Sequence, residues 1–324
     1  MNENTASVCE KYLPEGELGK TAENRFHMSS RRGLETACEK GAVVEAVCTL
    51  CDCSAMNLTV QLPDGIRGII PRSEVCYNPD GGETKDIAVI TRVGKPVQFK
   101  IRAFCDGGHT AILSRCDAQL ECWERYISNM VPGDIIPAKV THLEPFGAFC
   151  DIGAGVVSLI TVDRISVSRI SHPSDRFRVG DKISAVVASR DESGRICLTH
   201  RELLGTWAEN AAHFAPGQTA CGIIRSVEEY GVFVELAPNL AGLAELNENA
   251  KPGESCSVYI KSIIPERMKV KLVLVDTSAE SERMPLKYYV DTENVHRMDR
   301  WQYSPDGCRK MVESVFGGGV LAGV

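Results

Sequence analysis

Short runs in which apolar and polar residues alternate fill most of the chain, and the pattern is clearest between residues 131 and 203. There it predicts five strands, over residues 134–143, 147–152, 156–160, 182–190 and 195–199. Turn residues punctuate them: Pro145 and Gly147 after the first, Ser171-His172-Pro173-Ser174 in the long connector, and Asp191-Glu192-Ser193-Gly194 before the last. A weaker set occupies 40–116, with strands starting near Gly41 and covering 58–62, 65–70, 94–103 and 111–114. A third set, 215–276, is shorter, because only Asn247-Glu248-Asn249-Ala250 stands where the second has its connector. Between the sets the period changes. Residues 117–130 bring Leu120, Trp123, Ile127 and Met130 to one face of a helix, and 205–214 predicts a second helix with Trp207 as its anchor. Residues 1–39 hold at most a short helix over 30–40 and otherwise read as an extended or loosely docked arm. The tail breaks the pattern: 287–290 and 300–303 read as strands and 308–316 as a helix, a small α/β unit expected to pack on the third set.

The second and third sets are one unit used twice. Residues 216–246 lie 84 positions after 132–162 and align with them without a gap. Pro132-Gly133 matches Pro216-Gly217, Phe146-Gly147 matches Tyr230-Gly231, and Phe149 matches Phe233. Two aromatics three apart on a strand point to opposite faces. A bulge or corner at the glycine between them would add a residue and bring both rings to one face. Spacing alone leaves a buried pair and a shared outer surface equally open; recurrence of ring, glycine and ring favours the second.

The run GDIIPAKVTHLEPFGAFCDIGAGVVSLITV, followed by VGDKISAVVASRDESGRICLTH, resembles the S1-type RNA-binding domain, the OB-fold repeat of ribosomal protein S1. The resemblance implies a mainly β chain of three tandem five-stranded OB-fold barrels joined by short helices, with the small α/β tail appended. Its expected parts are an arm (1–39), a degenerate barrel (40–116), a connector (117–130), the main RNA-binding barrel (131–203), a connector (204–214), a third barrel (215–276) and the tail (277–324). In the resembled family the RNA face uses two aromatics on strand two, a position on strand three that is often His, and an Asp and an Arg at the last hairpin. Carried over, the second barrel supplies Phe146, Phe149, Asp191 and Arg195, with Thr161 where a His would stand and His142 as a candidate replacement. The third supplies Tyr230, Phe233 and Lys269, but has Glu245 at the strand-three position, so weaker binding is expected there. The first keeps Asp106 but offers Met56 and Thr59 in place of rings, which leaves no stacking platform. Its expected role is protein docking, with weak RNA contact by Arg67 and Arg72 left open.

Charge sharpens this picture. The chain carries a net charge of −7, awkward for a nucleic-acid binder. Locally, residues 162–182 hold Arg164, Arg169, Arg176, Arg178 and Lys182 against three aspartates, and these arginines are expected to meet phosphates. Between 216 and 276 eight carboxylates face six cations. Cys48, Cys51 and Cys53 cluster, but a zinc site would need a fourth ligand and none stands nearby, so core thiols are expected rather than metal. There is no apolar run of membrane-spanning length, and the N-terminus has neither a basic start nor an apolar core, which points to the cytoplasm. Repeats, connectors and tail leave no room for a catalytic domain, and no phosphate-binding glycine loop is present. The expectation is a non-catalytic monomer, without cofactor or metal, that binds single-stranded RNA such as mRNA and acts in translation or mRNA handling, with the small ribosomal subunit as a candidate partner. The alternative is a protein-docking scaffold on the ribosome or a nuclease.

Overall fold

Alternating burial along the strands closes each set of five into a barrel. The computed structural model describes residues 12–78, 81–192, 194–247, 249–279 and 283–317. The first barrel is built from β1 (Val44–Cys51), β2 (Leu58–Gln61), β3 (Arg67–Ile70), β4 (Pro96–Cys105) and β5 (Thr110–Ser114). The second uses β6 (Ile135–Glu144), β7 (Gly147–Asp151), β8 (Val157–Thr161), β9 (Lys182–Arg190) and β10 (Ile196–Thr199). The third uses β11 (Thr219–Glu228), β12 (Gly231–Ala237), β13 (Leu240–Ala244), β14 (Ser255–Ile264) and β15 (Lys269–Ser278). In all three the third and fifth strands pair in parallel, whereas the first and fourth, and the fourth and fifth, pair antiparallel. The chain divides into two compact units, one drawn from Met1–Met130 with Asp151–Val157, the other from Val131–Cys150 with Ser158–Val324. Among the described residues no helix is long and apolar enough to cross a membrane.

The arm departs from expectation. Residues 12–40 carry α1 (Ala22–His27) and α2 (Arg31–Lys40), and Leu34 and Ala37 lie in the core of the first barrel. Thr21 and Ser30 cap the two helices by accepting the Asn24 and Gly33 amides, so this segment is docked rather than loose. Residues 1–11 of the expected arm lie outside the described residues. Short α3 (Asp86–Ile90) precedes β4; α4 (Arg115–Arg125) and α5 (Trp207–Ala211) occupy the two predicted connectors, with Trp207 buried in the third barrel's core.

The tail holds no helix over 308–316. Instead β16 (Arg300–Gln302) and β17 (Glu313–Val315) form a two-stranded hairpin, and Tyr303 donates its amide to the Val312 carbonyl (2.9 Å). Residues 287–290 are a strap, not a strand. Trp301 and Tyr303 join the third barrel's core, while Tyr288, Val290, Met298 and Phe316 pack with Ile135, Val186 and Leu203 of the second. Pairing across the hairpin satisfies backbone groups that a helix would have satisfied along its own axis.

Two buried polar arrangements hold this second unit. Arg176, expected among the phosphate contacts, is 3% exposed and ion-paired with Glu235. Arg225 pairs with the same carboxylate and also reaches Asp175 (3.4 Å). Burial disfavours the Arg176 cation, and Glu235 is what offsets that cost. The second arrangement is His200, whose Nδ1 donates to the Ile165 carbonyl (3.1 Å) while Nε2 accepts from the Tyr288 hydroxyl (3.1 Å).

One constraint of chain geometry recurs. A Cβ on Gly147 would stand 2.5 Å from the Ile160 carbonyl oxygen and 2.9 Å from Leu159 Cδ1. At Gly231, where φ is +147°, it would stand 2.3 Å from the Ala244 oxygen. Gly147→Ala is expected to cost about 1–3 kcal/mol by urea titration, because rigid backbone must move. Glu235→Ala should cost about 3–5 kcal/mol by leaving the buried Arg176 guanidinium without its carboxylate and Arg225 with Asp175 alone, and replacing Arg176 and Arg225 by Met in that background should recover part of the loss. Burial, aided by the charge of Arg176, pushes the His200 pKa down to about 4 from its ordinary 6.5. The unfolded chain therefore takes up the proton first. This contribution to stability is full above about pH 6.5 and falls as pH drops towards 4, a trend in melting temperature that His200→Gln should flatten.

Candidate nucleic-acid interface

Ala148 and Cys150 of β7 point into the second barrel, so Phe149 between them points out. Phe146 escapes that alternation because it sits on the turn before β7 rather than on a bulge. It is 55% exposed, and its ring meets that of Phe149 edge to face, with centroids 5.9 Å apart and planes at 89°. His142, on β6, also stacks on Phe149, at 6.2 Å and 26°, while its Nε2 reaches Glu144 (2.7 Å). In the third barrel Tyr230 is 68% exposed and meets Phe233 at 6.0 Å and 89°. Both pairs thus lie outside their barrels, in nearly the same geometry. Among its described residues the first barrel has nothing comparable: Met56 is buried, Thr59 half-buried, and Arg72 is engaged by Asp86 (2.7 Å).

The remaining expected residues separate. Arg195 is exposed at the β9–β10 turn, where its amide donates to Asp191 Oδ1 (2.8 Å), so Asp191 at least pins that turn. Thr161 is half-buried at the end of β8. Along the connector Arg169 and Arg178 are exposed, Arg164 is half-buried, and Arg176 is removed from any solvent-side ligand by its pairing with Glu235. Among Cys48, Cys51 and Cys53 only Cys48 is buried, and the described residues contain no cluster of potential metal ligands.

The third barrel gathers cations that whole-barrel charge conceals. Phe233 pairs with Leu243 on β13, and Leu243 pairs with Lys271 on β15, so one row across the sheet joins a ring to an ammonium group. At the matching place in the second barrel Leu159 pairs with Cys197. Lys269, Lys271, Lys261, Arg267 and Lys310 all line the groove in which Tyr230 and Phe233 stand, with Glu245 as its carboxylate. Sequence reasoning missed four of these. The signal for Lys271 was available, because Lys269 and Lys271 flank buried Val270 and must share the outer face.

Residues 131–201 match the model of the S1 RNA binding domain. The small ribosomal subunit protein bS1 of Leuconostoc lactis is 30% identical over 249 residues, covering 73% of this chain and 54% of that protein. The bS1 of Staphylococcus aureus is 27% identical over 315 residues, covering 88% of this chain and 78% of its own. The chain thus spans about half of the first relative and over three quarters of the second. Among solved structures, a multidomain protein with nucleic acid binding domains from Streptococcus pneumoniae aligns with 74% of this chain and 75% of its own at 16% identity and a TM-score of 0.24. A matched S1 RNA binding domain in the middle, barrels of the same topology before and after it, and similarity to bS1 over most of the chain together support an S1-like family.

Proposed function

We propose that this chain is a non-catalytic, S1-like RNA-binding protein that holds single-stranded RNA, mRNA included, during translation, in the cytoplasm and in association with the small ribosomal subunit. The observation that carries this reading is the pair of outward, edge-to-face rings repeated on the second and third barrels. Unpaired bases expose faces that such rings can stack, with little dependence on sequence. In the second barrel Phe146, Phe149 and His142 form the platform, and Arg195, Arg169 and Arg178 are the cations offered to the phosphates. Arg176 has no part in it. The alternative, a protein-docking role, is favoured for the first barrel, where Leu50 and Val47 are exposed apolar residues and no ring pair exists.

Fluorescence anisotropy with a short single-stranded RNA tests the reading. Binding should weaken with salt, by a slope of about 0.7 per phosphate contact in log–log form. Phe149→Ala should weaken binding at the second barrel roughly 5- to 150-fold, the loss of one stacked base. Arg195→Ala should lower both affinity and slope. Absence of binding by the wild-type chain at low salt would leave docking as the surviving role.

A further inference from the structure

Rings and cations come together most completely on the third barrel, in a groove of about 740 Å³ that the barrel does not build alone. Tyr230 and Phe233 supply its aromatic surface, and Lys261, Arg267, Lys269 and Lys271 come from the β14–β15 hairpin. The fifth cation, Lys310, comes from the loop of the C-terminal hairpin. All five are exposed, and none forms an ion pair among the described residues. The loop that carries Lys310 is fixed. Ser304 Oγ donates to the Lys310 carbonyl (2.7 Å) and accepts from the Val312 amide (2.8 Å). The Tyr303 hydroxyl donates to the Asn239 carbonyl (2.6 Å), which anchors the hairpin to the third barrel.

A surface with five unpaired cations, one carboxylate, the exposed ring of Tyr230 and the half-buried ring of Phe233 suits a flexible polyanion that also carries flat apolar groups. An acidic peptide would match the charge but leave the rings unused. We propose that the C-terminal hairpin is part of the RNA site. A single strand stacks on Tyr230 and Phe233 and follows the groove, with Lys269, Lys271 and Lys310 on its phosphates, which makes the third barrel the tighter of the two ring-bearing barrels. The inference rests on the RNA-binding reading above and reverses the ranking that the barrel's acidic total suggests. Placement decides this, because the carboxylates of a barrel act on a bound strand only within about a Debye length, near 10 Å at 0.1 M salt.

The test uses the full chain and a fluorescein-labelled oligouridine of about twelve nucleotides, within the span of one OB-fold. Tyr230→Ala with Phe233→Ala should weaken binding more than Phe146→Ala with Phe149→Ala. Lys310→Ala should reduce the salt slope by about 0.7, one phosphate contact, and Lys310→Glu should weaken binding further. Lys310 is exposed and its loop is held through backbone and Ser304, so both variants should keep the wild-type melting temperature. Wild-type binding that neither Lys310 variant alters, or a greater loss from the Phe146 and Phe149 pair, would overturn the groove while leaving the RNA function standing. Failure of the wild-type chain to bind would remove both.

Discussion

A carbonyl oxygen lies where a side chain would begin at Gly147 and again at Gly231, and the outward ring pairs depend on that approach. Because strand three runs so close, strand two can start directly after a tight turn. The residue on the turn is then freed from the strand's in-and-out alternation, which would have sent it inward with Ala148 and Cys150. One glycine thereby converts a spacing of three, unfavourable on a regular strand, into two rings on one face. The first barrel shows the other solution. By register Asn57 stands where the glycine would be, its Oδ1 accepts the Arg72 amide (3.2 Å), and Met56 before it folds inward at a φ of 54°. A small difference in backbone clearance separates a barrel with a stacking surface from one without.

The barrels and the ring positions were legible in the sequence, because strand alternation, turn glycines and a gapless repeat are local signals. What was not legible arises from contacts between distant segments. Arg176 looks like any other basic residue of its connector, and only the approach of Glu235, far along the chain, shows that its charge is neutralised inside the protein. The tail was misread for a related reason. Its aromatic residues announce burial but not the surface they are buried against, and residues 308–316 lack any partner in sequence that would reveal a hairpin. In the arm, the helix over 31–40 was visible, but Leu34 and Ala37 entering a core was not, since a short apolar pattern does not name its acceptor.

Electrostatics follows the same logic. The chain as a whole is acidic, yet acidity is a sum, and a bound strand senses only the charges along its path. On the third barrel the carboxylate of Glu235 is turned inward to Arg176 and Arg225, while the alternating lysines of β15 face outward. Glu235 is thereby withdrawn from the outer face that Lys269 and Lys271 share. The fold sorts charge as well as hydrophobicity.

The shared burial of Arg176 and Glu235, reinforced by a tail that packs on both ring-bearing barrels, bears on how a long polymer would be held. Two modules on a floppy tether capture a second segment of the same strand at an effective concentration set by tether statistics. Modules locked in register offer instead a single fixed span, favourable only to strands that reach it without strain. Such a molecule would act as a ruler for extended RNA, and a looped or hairpin-forming tract would gain no avidity from the second platform.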